Sequence, residues 1–113
     1  MSCLQQLLKE AENLGWFTHT DGNFTSFEIY SPENQDFYFE VEHMGSVERL
    51  IDGIKSYYDS FDCSAESYLW LGKDGHGTNG APYDMKDLYN DMEWCQASIL
   101  RLYTQLEDKF NEI

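Results

Sequence analysis

The apolar residues of this chain change their spacing twice, and this pattern limits the folds that the chain can adopt. From Trp16 to Met44 they alternate with polar residues at a period of two, which is typical of half-buried β-strands. On either side of this region they recur every three to four residues, which is typical of amphipathic helices. The sequence therefore predicts an α+β fold in which helices flank a run of antiparallel strands.

Three helices are predicted. The first spans residues 2–14, because Ser2 is a suitable N-cap and Gly15 fits the left-handed position that commonly ends a helix. The second follows the capping residue Ser46, and its apolar face consists of Val47, Leu50, Ile51, Ile54, Tyr58 and Phe61. The third starts at Asp84 and carries a long apolar stripe that favours core packing over a coiled-coil seam. This stripe consists of Met85, Leu88, Met92, Cys95, Ile99, Leu102 and Leu106.

The strands are predicted over residues 16–20, 24–30 and 36–44. A tight turn at Asp21-Gly22 joins the first two, so the three form an antiparallel meander. In the third strand Phe37, Phe39 and Val41 point to one face, and Tyr38, Glu40 and Glu42 point to the other. The segment 68–71 is either a fourth strand or a buried turn, and 72–82 is a loop. The predicted order is αβββα(β)α, with a sheet of three or four strands packed against three helices.

Net charge restricts the kind of partner that the chain can bind. The 113 residues fit one domain, 1–113, and include 21 Asp and Glu against 7 Lys and Arg, for a formal charge of −14. Such an excess disfavours nucleic acid and anionic membranes as binding partners, because both are polyanions. It favours a basic protein surface as the partner, and the sequence does not indicate an oligomeric state.

The three cysteines are widely spaced and odd in number, which predicts free thiols in a reducing compartment. The first residues do not form a signal peptide, since the apolar run that begins at Leu4 is interrupted by Lys9 and Glu10. No apolar segment has the length of a transmembrane helix. A cytoplasmic protein is therefore expected, with Cys63 and Cys95 as small core residues.

One segment, from Gly75 to Gly80, matches the glycine pattern G-x-G-x-x-G of dinucleotide-binding turns. That site also needs a second parallel strand after the helix, but here the helix continues almost to Ile113. A flexible loop is the favoured interpretation. The histidines and cysteines lack metal-ligand spacing, so neither a metal, a cofactor nor a catalytic residue is predicted. Negative surroundings should also raise the pKa of Cys63 and oppose its use as a nucleophile.

The placement of the acidic residues leads to a binding hypothesis. They fall into three groups. Within each group, repulsion between carboxylates is expected to lower the stability of the fold, and a few lysines in their place would have avoided this repulsion. The first group lies on the outer strand face, the second where the second helix ends, and the third along the last helix. Together with one tyrosine they are the predicted partner-binding residues: Glu28, Asp36, Tyr38, Glu40, Glu42, Asp59, Asp62, Glu66, Asp84, Asp87 and Asp91. Exposed tyrosines beside carboxylates, here Tyr30, Tyr38, Tyr83 and Tyr89, suit contact with arginine.

Small size, acid excess, an α+β fold and the absence of a catalytic motif resemble the anti-CRISPR and antirestriction inhibitors of phages and mobile elements. The segment FDCSAESYLWLGKDGHGTNGAPYDMKDLYND is also similar in character to short acidic proteins of bacterial mobile elements. This resemblance implies a DNA mimic whose carboxylates occupy the basic groove of a defence nuclease. The expected function is therefore a non-enzymatic nuclease inhibitor. An immunity protein against a basic toxin nuclease is the alternative, followed by a small enzyme with a pocket around His76, Cys63 or a carboxylate.

Overall fold

The structure, a computed structural model, describes residues 2–78 and 81–113. Within these residues, four helices and three strands follow one another. They are α1 (Cys3–Asn13), β1 (Phe17–Asp21), β2 (Phe24–Tyr30), β3 (Asp36–Glu42), α2 (Val47–Ser60), α3 (Cys63–Tyr68) and α4 (Met85–Glu112). The predicted α+β class and the three-stranded antiparallel sheet are confirmed, and the strand order is β1-β2-β3.

Helix α1 begins at the predicted cap. The Ser2 hydroxyl accepts the N–H of Gln5 at 3.1 Å, and the Gln5 side chain accepts the N–H of Ser2 at 2.9 Å. This reciprocal pair satisfies two backbone donors that a helix start otherwise leaves free. At the other end Gly15 has a φ of +100°, as predicted for a left-handed residue after a helix. The buried stripe of α1 is centred on Leu7 and Ala11.

The first hairpin is shifted by one residue from its predicted position. Asp21 pairs with Phe24, so the two residues of the turn are Gly22 and Asn23 rather than Asp21 and Gly22. Trp16 therefore precedes β1 instead of belonging to it, and its N–H bonds to the carbonyl of Ala11 at 3.1 Å. Its ring is buried edge-on against the three phenylalanines of the sheet core, which are Phe27, Phe37 and Phe39.

Strand β3 has the predicted alternation. Phe37, Phe39 and Val41 are buried, while the residues between them are exposed. The strand ends at Glu42 rather than at Met44, whose φ of +53° places it in the following turn. Helix α2 lies against the buried face, and a Cβ on Gly53 would come within 2.3 Å of Val41 Cγ1. A residue without a side chain is therefore needed where α2 meets β3.

The apolar stripe of α4 lies in the core and not in an exposed seam. From Leu88 to Leu106 its predicted members are at most 1% exposed, and α4 packs against α1, α2 and α3. Met85, at the start of the helix, is half-buried. Among residues 2–78 and 81–113, no helix combines the length and the apolar character needed to cross a membrane.

The prediction for the segment 68–71 was wrong. A short helix, α3, occupies residues up to Tyr68, because Asp62 accepts the N–H groups of Ser64 and Ala65 and so starts a new helix. A turn follows it, in which Leu69 is 76% exposed, so this segment is neither a strand nor a buried turn. Leu71 forms one isolated bridge with Gly77 in the loop. Two positions of the glycine pattern, 79 and 80, lie outside the described residues.

Candidate binding surface on the open face of the sheet

The outward face of the sheet is not covered by the helices. Glu28 lies opposite Tyr38 on one side and Phe17 on the other, and Ser26 lies opposite Glu40. Side chains that are opposite across strands share one face of a sheet. We call this surface the open face, and its residues are all exposed or half-buried. They are Phe17, His19, Asp21, Phe24, Ser26, Glu28, Tyr30, Asp36, Tyr38, Glu40 and Glu42.

The open face carries carboxylates from all three strands and neither lysine nor arginine. The chain has no Lys or Arg between Lys9 and Arg49, so this whole surface lies in a stretch without a cationic side chain other than histidine. Its acidic members are Asp21, Glu28, Asp36, Glu40 and Glu42. The first group of predicted binding acids, on the outer strand face, is therefore brought together by the fold.

Large aromatic side chains lie among these carboxylates. Phe17 is 61% exposed, Tyr30 49% and Tyr38 53%, and the rings of Phe17 and Tyr30 meet edge-on at 6.2 Å. Phe24 is also exposed, at the opposite end of the face. Exposed aromatics that cluster in this way mark interaction surfaces more often than isolated exposed apolar residues do. A guanidinium group can pair with a carboxylate here and stack on a neighbouring ring.

Two hydrogen bonds on this face change the proton affinity of its members. The Tyr38 hydroxyl donates to Glu40 Oε2 at 3.1 Å, and this bond raises the pKa of Tyr38. The pKa of Glu28 is also raised, first by a hydrogen bond with Asp36 and then by desolvation and by repulsion from the same carboxylate. Glu28 therefore keeps its proton to a higher pH than an isolated glutamate does.

A pH dependence follows from the raised pKa of Glu28. The folded chain holds this proton more tightly than the unfolded chain, so the group contributes stability at low pH that is lost as pH rises through the raised pKa. We expect the Tm of Glu28→Gln to fall less than that of the wild type between about pH 4 and pH 7. Thermal unfolding followed by circular dichroism measures both profiles. Parallel profiles for the two proteins would contradict the raised pKa of Glu28.

The acids of the second group have separate local roles, and of the three only Asp59 belongs to the last turn of the second helix. Asp59 forms an ion pair with Lys55 at 2.7 Å. Asp62 caps α3, and Glu66 lies in the first turn of that helix, where a negative charge is favourable. The pKa of Glu66 is raised, mainly because the side chain is partly buried and secondly by Asp62.

The third group is divided by the structure. Asp84 and Asp87 are exposed at the start of α4, and Asp87 lies in its first turn. Tyr83 and Tyr89 beside them are exposed as well. Asp91 is only 3% exposed, so the prediction that it belongs to a binding surface was wrong.

Asp91 connects α4 to the loop between β2 and β3. It accepts hydrogen bonds from the Ser31 hydroxyl at 2.6 Å, from the Gln35 side-chain amide, and from the N–H of Glu33 at 3.3 Å. Ser31 and Gln35 are themselves buried. A carboxylate that accepts several protein donors is stable in such a position, which explains an acid among the apolar neighbours of α4.

Five members of the open face were predicted neither as binding residues nor as tyrosine contacts for arginine: Phe17, His19, Asp21, Phe24 and Ser26. Three of them lie on β1 and two on β2. The predicted binding residues were carboxylates and one tyrosine, and no face was assigned to the residues of the first strand. The stretch from residue 10 to residue 48 without Lys or Arg was the signal in the sequence that pointed to this region.

The residues considered for catalysis do not converge. Cys63 is buried and donates to the side-chain oxygen of Gln96 at 3.4 Å, and its pKa is raised by burial and then by Glu93 and Asp62. Burial raises the pKa of Cys95 to about 12. His76 lies in the loop before α4, stacked on Tyr83 with ring centroids 4.0 Å apart. Within residues 2–78 and 81–113, no group of three or more metal-ligating side chains is arranged to hold an ion.

Comparison with known proteins adds no family to these observations. No protein-family model, no curated protein and no solved structure matches this chain. The resemblance to anti-CRISPR and antirestriction inhibitors stays a prediction. The open face is therefore the feature from which a function can be argued.

Proposed function

We propose that this chain is a non-enzymatic inhibitor that binds the basic DNA-binding surface of a bacterial defence nuclease through its open face. The observation that supports this proposal is the composition of that face: carboxylates on all three strands, exposed aromatic rings between them, and neither lysine nor arginine. Arg- and Lys-lined grooves that receive nucleic acid carry the complementary charge.

The spacing of the carboxylates also suits such a groove. Glu40 and Glu42 are two positions apart on one strand, which corresponds to about 6.7 Å. This is about twice the axial spacing of charges along one DNA strand. Arginines placed to pair with phosphates can therefore reach carboxylates on the open face without a large rearrangement.

The aromatic rings make the face selective for a protein over a simple cation. Glu28 lies directly opposite Tyr38 across the two strands, and Asp36 lies directly opposite Tyr30. An arginine of the partner that pairs with one of these carboxylates is therefore next to a tyrosine ring. Stacking on a ring adds a contact that counterions in solution do not make. Binding is expected to be fast, sensitive to salt and competitive with DNA.

A displacement experiment tests this function. Labelled duplex DNA is bound to a CRISPR nuclease or to a restriction endonuclease, the chain is added, and release of DNA is followed by fluorescence anisotropy. We expect displacement from at least one of these proteins, with an affinity that falls at least tenfold between about 50 and 200 mM salt. Binding that is insensitive to salt, or that leaves the DNA in place, would contradict the proposal.

A further inference from the structure

The outer edge of β3 is a second feature of the same region. β3 is the last strand of the sheet, so only one of its sides is paired with another strand. Hydrogen bonds from His43 N–H to Asn23 O, at 2.8 Å, and from Ser31 N–H to Gln35 O, at 2.9 Å, continue the pairing at its two ends. Since these bonds join odd-numbered residues, the N–H and C=O groups of the even-numbered residues of β3 point away from β2.

These outward backbone groups have no partner among the described residues. The backbone groups of Tyr38 and Glu40 point outward, and neither residue takes part in the backbone hydrogen bonds of the turns, loops and helix ends. Natural edge strands are commonly protected by charged side chains, proline or a bulge. β3 has neither proline nor a bulge, and its seven residues are in continuous register with β2. Its charged side chains are all carboxylates, which repel an anionic strand and attract a cationic one.

A groove of about 300 Å³ lies beside the first half of this edge. On the side of the sheet it is lined by Asp36, Phe37 and Tyr38, and on the opposite side by Glu66, Leu69 and Trp70, with Tyr57 between them. Leu69 is 76% exposed, and Tyr68 next to it is 67% exposed. Carboxylates of the open face thus border the edge on one side. The large side chains of Leu69 and Trp70, together with Glu66, border it on the other side.

The opposite edge of the sheet differs in its length and in the helix that lies beside it. β1 is shorter, with five residues, and it packs against α1. The pairing pattern turns the backbone groups of Thr18 outward there. A variant at Thr18 therefore provides a matched control for a variant on β3.

We propose that the outer edge of β3 accepts an extended cationic segment of the partner as a fourth, antiparallel strand. Its alternate arginine or lysine side chains lie beside Tyr38 and Glu40 on the open face, and the apolar side chains between them enter the groove at Leu69 and Trp70. This inference rests on the proposed function, because the partner's charge is argued from the open face. Main-chain bonds supply affinity in such strand addition, and alternate side chains supply specificity.

The protein side of the inference is tested with three variants. The probe is an eight-residue peptide of alternating arginine and valine, acetylated and amidated, and binding is measured by titration calorimetry. Glu40→Thr and Glu40→Pro both remove the carboxylate, but only proline removes the outward N–H and obstructs pairing on this edge. We expect Glu40→Pro to bind at least about tenfold more weakly than Glu40→Thr. Thr18→Pro, which alters the other edge, should bind like the wild type.

The peptide side provides an independent test that needs no protein variant. In an antiparallel fourth strand, the residues whose side chains lie on the open face also direct their N–H groups toward β3. Methylation of the arginine amides should therefore abolish binding, while methylation of the valine amides should preserve it. Equal binding, or equal loss, by the two methylated peptides would overturn strand addition.

The two proposals fail in different ways. If charge reversal on the open face abolishes peptide binding while the proline variant and the methylated peptides behave like their controls, the acidic surface binds and strand addition is wrong. If the peptide binds a charge-reversed open face as well as the native one, the proposed function is wrong, and the inference that rests on it is wrong too.

Discussion

Replacing Asp36, Glu40 and Glu42 together by lysine is expected to weaken binding to a basic partner on the order of 100-fold at low ionic strength. Each change removes an attractive contact and adds a repulsive one at a position that is exposed on the open face. The Tm should stay the same or rise, because the lysines reduce repulsion between carboxylates that share this surface. The loss should become smaller as salt is added.

A control with the same net charge separates a local effect from a general one. Glu93, Asp108 and Glu112 are exposed on α4, which packs against α1, α2 and α3, and their replacement by lysine changes the charge of the chain equally. We expect this control to bind nearly as well as the wild type in the same anisotropy assay. A similar loss in both variants would mean that overall charge governs binding, and an unchanged affinity in the first would exclude the open face.

The largest expected effect on stability comes from Asp91→Ala. This change leaves the buried Ser31 hydroxyl and Gln35 amide without their acceptor and leaves a cavity beside α4. Buried polar groups that lose a charged partner typically destabilise by about 3 kcal/mol, which corresponds to a Tm lower by about 10–20 °C in a domain of this size. Urea unfolding followed by tryptophan fluorescence measures the change.

Asp87→Ala is the matched control, one turn earlier on the same helix. Asp87 is exposed, so its loss should change the free energy of unfolding by about 0.5 kcal/mol through the helix dipole alone. Ser31→Ala, which removes one donor and keeps the carboxylate, should fall between the two. Equal stability of the Asp91 and Asp87 variants would show that the buried carboxylate does not hold the β2–β3 loop on α4.

Much of the fold was predictable because it depends on neighbours within one or two turns. The capping serines Ser2 and Ser46, the left-handed Gly15 and the alternation in β3 all occur as predicted. In each case the sequence contains both the residue and the backbone group that it satisfies, only a few positions apart. The position of Asp36, Glu40 and Glu42 on one side of β3 was predictable for the same reason, since a period of two places them there. That Glu28 of β2 joins them depends on the register between the strands.

The errors concern contacts between distant parts of the chain. Asp91 was assigned to the surface because it lies along the same side of the last helix as Asp84 and Asp87, but the loop between β2 and β3 covers it from nearly 60 positions away. Asp62 was assigned to the end of one helix, and it starts another. Trp16 was assigned to the first strand, but it packs against three phenylalanines of β2 and β3, which shifts the hairpin by one residue.

The sequence by itself determined three of the four described helices, the three strands to within two residues at their ends, the two faces of β3 and the excess of negative charge, because periodicity and capping act over a few residues. Only the tertiary structure decided which of the 21 acids share a surface, which one is buried, and which edge of the sheet remains free. Those outcomes depend on strand register and on helix packing. Both are set by contacts across long stretches of chain, for which a single sequence contains no local signal.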